Sequence, residues 1–257
     1  MKKRIWGEDP YFFGPRNYFR QTLLMSYIRT KARTMDKCKS TNSYTKLLDA
    51  GCGNGSMSIR LAKKGYQVVG IDITDENINF ANYVKRKMDI DNVNFIKMSV
   101  DNIYFPKNAF DIVACGEVLE HVKDDDKAVK CFNKVLKLGG ECVITVPCNP
   151  KLWSLEDEWV GHVRRYRAKE LRELLLRNGF RINKMRYFGF PLIRLYFMIF
   201  KSAVLENKVT SNKMSSKSKI LQSVYKALSY IFFFDNMFDW CRHGTGLIVR
   251  AVKVKEI

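Results

Sequence analysis

Apolar and polar positions alternate in two periods along this chain. Short apolar runs near 47–50, 67–71, 93–97, 110–115 and 141–146 are too brief for helices and rich in Val, Ile and Leu, so they predict strands. Between them, stretches near 54–64, 75–88 and 124–137 carry apolar residues at helical spacing. Gly139 and Gly140 are expected to stop the last of these helices. Strand and helix in strict alternation predict a parallel sheet covered on both faces. Ahead of it, residues 17–34 place Phe19, Leu23, Leu24, Tyr27 and Ile28 on one side of a basic amphipathic helix, and 36–46 read as a polar linker.

The first run leads into LLDAGCGNGS at 47–56, where Gly51, Gly53 and Gly55 fall on alternate positions. Glycine takes positive φ and lets a ligand approach the backbone, so this is a tight strand-to-helix turn beneath a bound molecule. The helix is expected to start near Asn54 or Ser56, both good N-caps. The second run, QVVGI, ends on Asp72, about 20 residues past the turn, where an acid grips ribose hydroxyls. A dinucleotide site wants G-x-G-x-x-G facing a pyrophosphate. Here the spacing is G-x-G-x-G with Asp49 two residues ahead, and a carboxylate there suits an ammonium better than a pyrophosphate.

These residues resemble the class I S-adenosylmethionine (SAM)-dependent methyltransferases, whose first motif is D/E-x-G-x-G-x-G. The resemblance implies a Rossmann-like α/β sheet of seven strands, the last pair antiparallel. Residues 181–188 and 245–254 are expected to supply that pair. It implies a SAM site built from Asp49, Gly51, Cys52, Gly53, Asn54, Gly55, Asp72 and Ile73, with Val100, Asp101 and Asn102 at the adenine and Cys115 and Glu117 along the pocket floor. S-adenosylhomocysteine is then the product. The (D/N)-P-P-(Y/F) motif of enzymes that methylate adenine or glutamine nitrogens is absent after the fourth strand, and Asn149-Pro150 comes too late to replace it.

Glu117, Glu120 and His121 form an E-x-x-E-H similar to that of ubiquinone-biosynthesis O-methyltransferases, where the resemblance implies a divalent metal. On a helix Glu117 and His121 share a face, but the further ligands a metal needs are not evident, so no metal is assigned. Residues 151–180 contain E-D-E-W-x-G-H-x-R-R-Y, similar to methyltransferases of lipids, glycans and other small molecules, followed by a helix at 168–178. A loop there overhangs the methyl acceptor. His162 is the expected general base, because imidazole titrates near working pH. His121 and Tyr166 are further catalytic candidates, and Arg164, Arg165 and Trp159 are candidate substrate contacts. The competing expectation is a structural loop in which Asp157 or Glu158 pairs with Arg164.

Composition narrows the setting. The seven cysteines have no C-x-x-C spacing and read as reduced, buried residues of an intracellular protein. The N-terminus lacks an apolar export segment, so a cytoplasmic protein is expected, peripheral at the inner membrane surface. The net charge is +19, unevenly spread: 11 Lys and Arg against 3 Asp and Glu in 1–46, 14 against 17 in 47–163, and 20 against 6 in 164–257. The basicity therefore belongs to whatever the flanks touch.

Three parts are expected: a cap helix and linker (1–46), a SAM-binding domain (47–188 with 244–257) and an amphipathic helical insertion (189–243). Neither apolar segment of the insertion, 191–205 or 220–240, has the ~18 to 20 uninterrupted apolar residues of a span. Their aromatics beside Arg194, Lys201 and Lys226 suit a helix lying in a headgroup layer. A lid or an oligomer interface uses the same faces. The leading functional expectation is O-methylation of a lipid-linked, quinone-like or glycan acceptor at a membrane. RNA methylation, N-methylation of a small molecule or phospholipid, and a non-enzymatic SAM-binding scaffold are the alternatives. Nucleic acid ranks low as a partner, since the aromatics form apolar clusters and not separate stacking platforms.

Overall fold

The structure is a computed structural model and describes residues 15–30, 44–196, 227, 230–238 and 241–257. Among the described residues, seven strands form one sheet in the order β3-β2-β1-β4-β5-β7-β6. They are β1 (Lys46–Ala50), β2 (Gln67–Asp72), β3 (Val93–Lys97), β4 (Phe110–Gly116), β5 (Leu136–Pro147), β6 (Phe180–Phe188) and β7 (Gly246–Lys253). β1 to β5 are mutually parallel, and β7 runs antiparallel to both β5 and β6. The strand order reverses between β1 and β4, so the carboxyl ends of these two strands open onto a crevice.

Period-two alternation divides each buried strand between two cores. Leu47, Ile112, Val143 and Ile248 face α1 (Pro15–Tyr27), α2 (Ser56–Ala62) and α3 (Asp75–Lys87). Leu48, Val113, Ile144 and Val249 face the other way, onto α4 (Asp125–Val135) and α6 (Ala168–Arg177). A short helix, α5 (Leu155–Val160), precedes α6. The helix ends carry complementary charge: Asp75 and Glu76 open α3, and Lys85, Arg86 and Lys87 close it.

One cap and two helix ends depart from expectation; the start of α2 near Ser56 is as expected. α2 begins at Ser56 behind Gly55, which is left-handed at φ 79°, so neither Asn54 nor Ser56 is the N-cap. α4 stops at Val135 and the chain enters β5 at once; Gly139 and Gly140 lie inside that strand and not at a helix end. α1 ends at Tyr27. The N–H groups of Arg29 and Thr30 donate instead to Oε2 of Glu141, a buried carboxylate, at 2.9 and 3.1 Å. Residues 31–34 of the expected helix lie outside the described residues.

Most of the insertion also lies outside them, but its two ends are anchored. Residues 192–196 are helical, and the Leu192 and Ile193 N–H groups donate to the buried Asp235 carboxylate at 2.8 and 3.0 Å. Phe232, in the turn Phe232–Phe238, packs edge-on against Phe19 of α1 and Tyr196.

Candidate functional site

At the end of β1 the chain turns sharply under its own hydrogen bonds. The N–H groups of Gly51 and Cys52 both donate to the Ile71 carbonyl at 2.8 Å. The Gly53 N–H donates to Asp72 Oδ2 at 2.9 Å. Asp72 Oδ1 accepts from the Thr74 N–H, the Thr74 hydroxyl and Asn77. Gly51, Gly53 and Gly55 all have positive φ (81°, 53° and 79°), as the alternate spacing requires. Their surroundings differ. A Cβ on Gly51 would lie 2.2 Å from Val118 and one on Gly55 2.6 Å from Phe95, whereas one on Gly53 would meet nothing within 4 Å. Two glycines therefore admit neighbouring side chains, and the third borders open space.

Asp49 is fully buried; Oδ2 accepts from the Ser58 hydroxyl and Oδ1 has no hydrogen-bond partner among the described residues. Burial pushes its carboxyl up to about 7. An orphaned carboxylate oxygen behind an open glycine, with the acid Asp72 beside it, fits a ligand with an ammonium and a ribose. Ile73, 66% exposed directly after Asp72, offers an apolar surface for a flat ring. Asp101 accepts from the Ser99 hydroxyl, and the Asn102 N–H donates to the Ser99 carbonyl at 3.2 Å. The side chains of Cys52, Val100 and Cys115 are core residues, so their contribution to a ligand would come from backbone. The Asn54 side chain accepts from the Ser56 N–H at 3.3 Å.

After β4 the chain reaches Glu117, at a left-handed φ of 55°, whose N–H donates to the Thr145 carbonyl. Oε1 of Glu117 is buried without a hydrogen-bond partner among the described residues, and Oε2 pairs with Arg20 of α1 at 3.3 Å. Glu120 is fully buried, and neither carboxylate oxygen has a hydrogen-bond partner among the described residues. Burial, and then the Glu117 carboxylate, hold it well above the ordinary glutamate range.

The loop after β5 converges on these groups. His162 Nδ1 lies 2.7 Å from Asp157 Oδ1, and its Nε2 is 3.8 Å from Glu120 Oε1. The His121 ring meets the His162 ring edge-on at 4.7 Å, and His121 Nδ1 lies 3.2 Å from the Gly161 carbonyl. Asp157 caps α5 through Ser154 and also accepts from Arg165 Nε at 2.8 Å. Burial alone would raise the Asp157 carboxyl, but His162 and Arg165 hold it well below the usual aspartate range. Among the described residues, Glu120, His121 and His162 each place a ligand atom within 4.8 Å of the others. The trio Glu117, Glu120 and His121 is not what the fold assembles, because Glu117 turns to Arg20.

Two loop expectations change. Arg164 pairs with Asp125 at 2.6 Å and donates to the Val122 and Lys123 carbonyls, while Arg165, not Arg164, pairs with Asp157. The Tyr166 hydroxyl is buried and donates to Asp125 Oδ2 at 2.8 Å, so Arg164 and Tyr166 clasp the loop to the start of α4. Trp159 sits half-buried on α5. Sequence reasoning missed the guanidinium groups that α1 brings to the rim, Arg20 at Glu117 and Arg16 at 3.8 Å from Glu156. Their spacing of four residues on an amphipathic helix was the available signal.

A family model for the methyltransferase domain matches residues 41–183, more than half of the chain, and the chain belongs to that family. Ubiquinone biosynthesis O-methyltransferase of Psychrobacter cryohalolentis is 37% identical over 109 residues, which cover 41% of this chain and 42% of that protein. Matches of this kind span about half the length of the curated relatives. Phosphoethanolamine N-methyltransferase 2 of Haemonchus contortus, solved with S-adenosyl-L-methionine, superposes with a TM-score of 0.66 at 19% identity over 95% of this chain and 54% of that one. The [4+2]-cyclase SpnF superposes with 0.65 at 21% identity, over 93% and 82%. The fold is that of the class I SAM-dependent methyltransferases. A cyclase on the same scaffold is a reminder that reaction type has to be argued from the site.

Proposed function

We propose that this protein is a SAM-dependent methyltransferase acting on an oxygen of a lipid-linked, quinone-like or glycan acceptor at a membrane surface. The observation that carries the reading is the pairing of an open, ammonium-ready turn with a histidine held by a buried aspartate on the overhanging loop. S-adenosylmethionine supplies, when bound, a sulfonium methyl open to nucleophilic attack. Asp49 would hold its ammonium, Asp72 its ribose hydroxyls and Asp101 its adenine amino group.

Asp157 accepts the Nδ1 proton of neutral His162 and so leaves the Nε2 lone pair free to take the acceptor's hydroxyl proton. Glu120 next to Nε2, kept as the neutral acid by its burial, does not compete as a permanent anion. Once His162 holds the proton, ionisation of Glu120 would balance it. His121, edge-on to His162, limits how far the imidazole can swing.

The membrane part of the reading is supported by Leu195, Tyr230, Ile231, Phe234 and Met237, all more than half exposed on the described ends of the insertion. No helix among the described residues is long and apolar enough to cross a membrane, so contact would be peripheral. Incubating the protein with radiolabelled SAM and separated lipid, small-molecule and RNA extracts tests the whole proposal. Label is expected in the lipid or small-molecule fraction, and lost in His162→Ala with SAM binding intact. Label in RNA alone would overturn the acceptor, and an unchanged rate in His162→Ala would remove the base.

A further inference from the structure

Beyond Arg164 and Arg165, the basic excess of residues 164–257 is not used in the site described above, and part of it gathers on β6 and β7. Lys184 of β6 and Arg250 of β7 are direct cross-strand partners. Like charges placed opposite each other destabilise a ladder, so opposite or neutral residues are expected there. Arg186 pairs with Ile248 in the same ladder, two residues along, and so projects from the same face. Arg29, just past the end of α1, joins the group.

The Lys184 ammonium sits 4.7 Å over the Tyr27 ring. It is held below the ordinary lysine range, first by desolvation and then by Arg186, Arg29 and Arg250. The acid that pairs with Arg250 is Glu141, at a long 3.8 Å, and its other oxygen is already taken by the Arg29 and Thr30 N–H groups. The Arg250 Nε is buried and has no acceptor among the described residues. A guanidinium left short of acceptors, on a side chain still 19% exposed, can take an anion through its terminal nitrogens.

We infer that Lys184, Arg250 and Arg29, with Arg186 at the rim, form a binding site for a phosphate group, carried either by a lipid headgroup or by a soluble phosphate compound. The site lies on the α1 face of β6 and β7. Glu141, which borders it, lies in the middle of β5 where pairing with β7 begins, whereas the SAM turn lies beyond the carboxyl ends of the strands. Guanidinium and ammonium donors gathered on one stretch of this ladder match the oxygens of a phosphate, whose charge would relieve the repulsion between Lys184 and Arg250. The inference does not rest on methyl transfer.

The probe is inorganic phosphate, titrated against the full chain by calorimetry and thermal melting, with sodium chloride at matched ionic strength as the control. Phosphate is expected to bind and to raise the melting temperature where chloride does not. Arg250→Met and Lys184→Met are each expected to weaken phosphate binding by about tenfold or more, the loss of one charge-assisted contact. Both are expected to melt higher than the parent in phosphate-free buffer, because the facing charges are gone. Binding of S-adenosylhomocysteine should not change in either, which separates this site from the turn.

Phosphatidylcholine vesicles with and without phosphatidic acid then identify the source. Vesicle binding lost with phosphate binding in the variants assigns a headgroup, and vesicle binding retained assigns a soluble phosphate. A phosphate response equal to that of chloride, or equally strong in the two variants, would overturn the site. So would a variant that melts lower or fails to fold, since that would show the facing charges to be satisfied already.

Discussion

Replacing the three glycines of the turn one at a time separates what the fold needs from what a ligand needs. Each sits at positive φ, so alanine at any of them costs about 1–2 kcal/mol for the left-handed backbone alone. At Gly53 nothing is added, because its Cβ would point into open space. At Gly51 and Gly55 the new carbon would overlap Val118 and Phe95, at 2.2 and 2.6 Å, and overpacking adds about 1–3 kcal/mol. For a chain of this size each kcal/mol lowers the melting temperature by about 2–4 °C. The expected drops are therefore about 2–8 °C for Gly53→Ala and about 4–20 °C for Gly51→Ala and Gly55→Ala. Calorimetric titration with S-adenosylhomocysteine gives the other half of the comparison. Gly53→Trp starts from a Cβ that meets nothing within 4 Å, so it is expected to melt near Gly53→Ala while binding the nucleoside more than about 100-fold more weakly, roughly 2.7 kcal/mol. If Gly53→Trp bound within about threefold of the parent, the open space in front of Gly53 would not be where the ligand lies, and the assignment of the turn would fail.

Asp49, with its carboxyl raised to about 7, favours the folded state when protonated, so stability should fall as pH rises from about 4 to 7, by up to roughly 4 kcal/mol. Asp49→Asn should remove that slope in thermal melts and also weaken SAM binding; a slope unchanged in the variant would show that another group titrates. Asp157 is the opposite case: its depressed carboxyl stabilises the fold above about pH 4, and that contribution is lost as pH falls further. Asp157→Asn should therefore destabilise the protein at neutral pH and lower kcat with S-adenosylhomocysteine affinity kept, and a full kcat would remove Asp157 from the orientation of His162. Tyr166→Phe deletes the hydroxyl bond to Asp125 and should lower stability by about 1–2 kcal/mol with kcat of the folded enzyme within about threefold. A loss beyond 100-fold would return Tyr166 to the chemistry.

The sheet was legible because each strand is a short apolar run, and burial on both faces demands that composition wherever parallel strands are covered by helices. The turn was legible too, since alternate glycines have few other uses. Boundaries failed where one residue type serves two purposes. Gly139 and Gly140 read as a helix stop, yet Gly140 sits in β5 because a Cβ there would come within 2.8 Å of the Lys137 carbonyl and 3.0 Å of that of Asp111. In the loop after β5, the choice between Arg164 and Arg165 as partner of Asp157 depends on Asp125, about forty residues away, and on carbonyls at the end of the E-x-x-E-H segment. Local sequence holds no record of such contacts. The same holds for the Lys184–Arg250 opposition, which exists only once the register of β6 and β7 is known.

The helix α1 then takes on more than the capping role its sequence suggests. Phe19, fully buried, packs on Phe188 of β6 and on Phe232 and Phe233 at the far end of the insertion. The next residues turn to the cofactor side: Arg20 pairs with Glu117, Gln21 donates to the Ser56 hydroxyl at the start of α2 and accepts from Arg60, and Thr22 accepts from Arg60 as well. One helix of 13 residues thus joins the insertion, the end of β4 and the helix behind the glycine turn. A rigid element touching all three cannot shift against one without disturbing the others. If the insertion meets a membrane, as proposed above, Phe19 and its neighbours link that contact through α1 to Glu117 and to the turn. Two discrete positions of α1, biased by both the membrane and the cofactor, are what such a route would require.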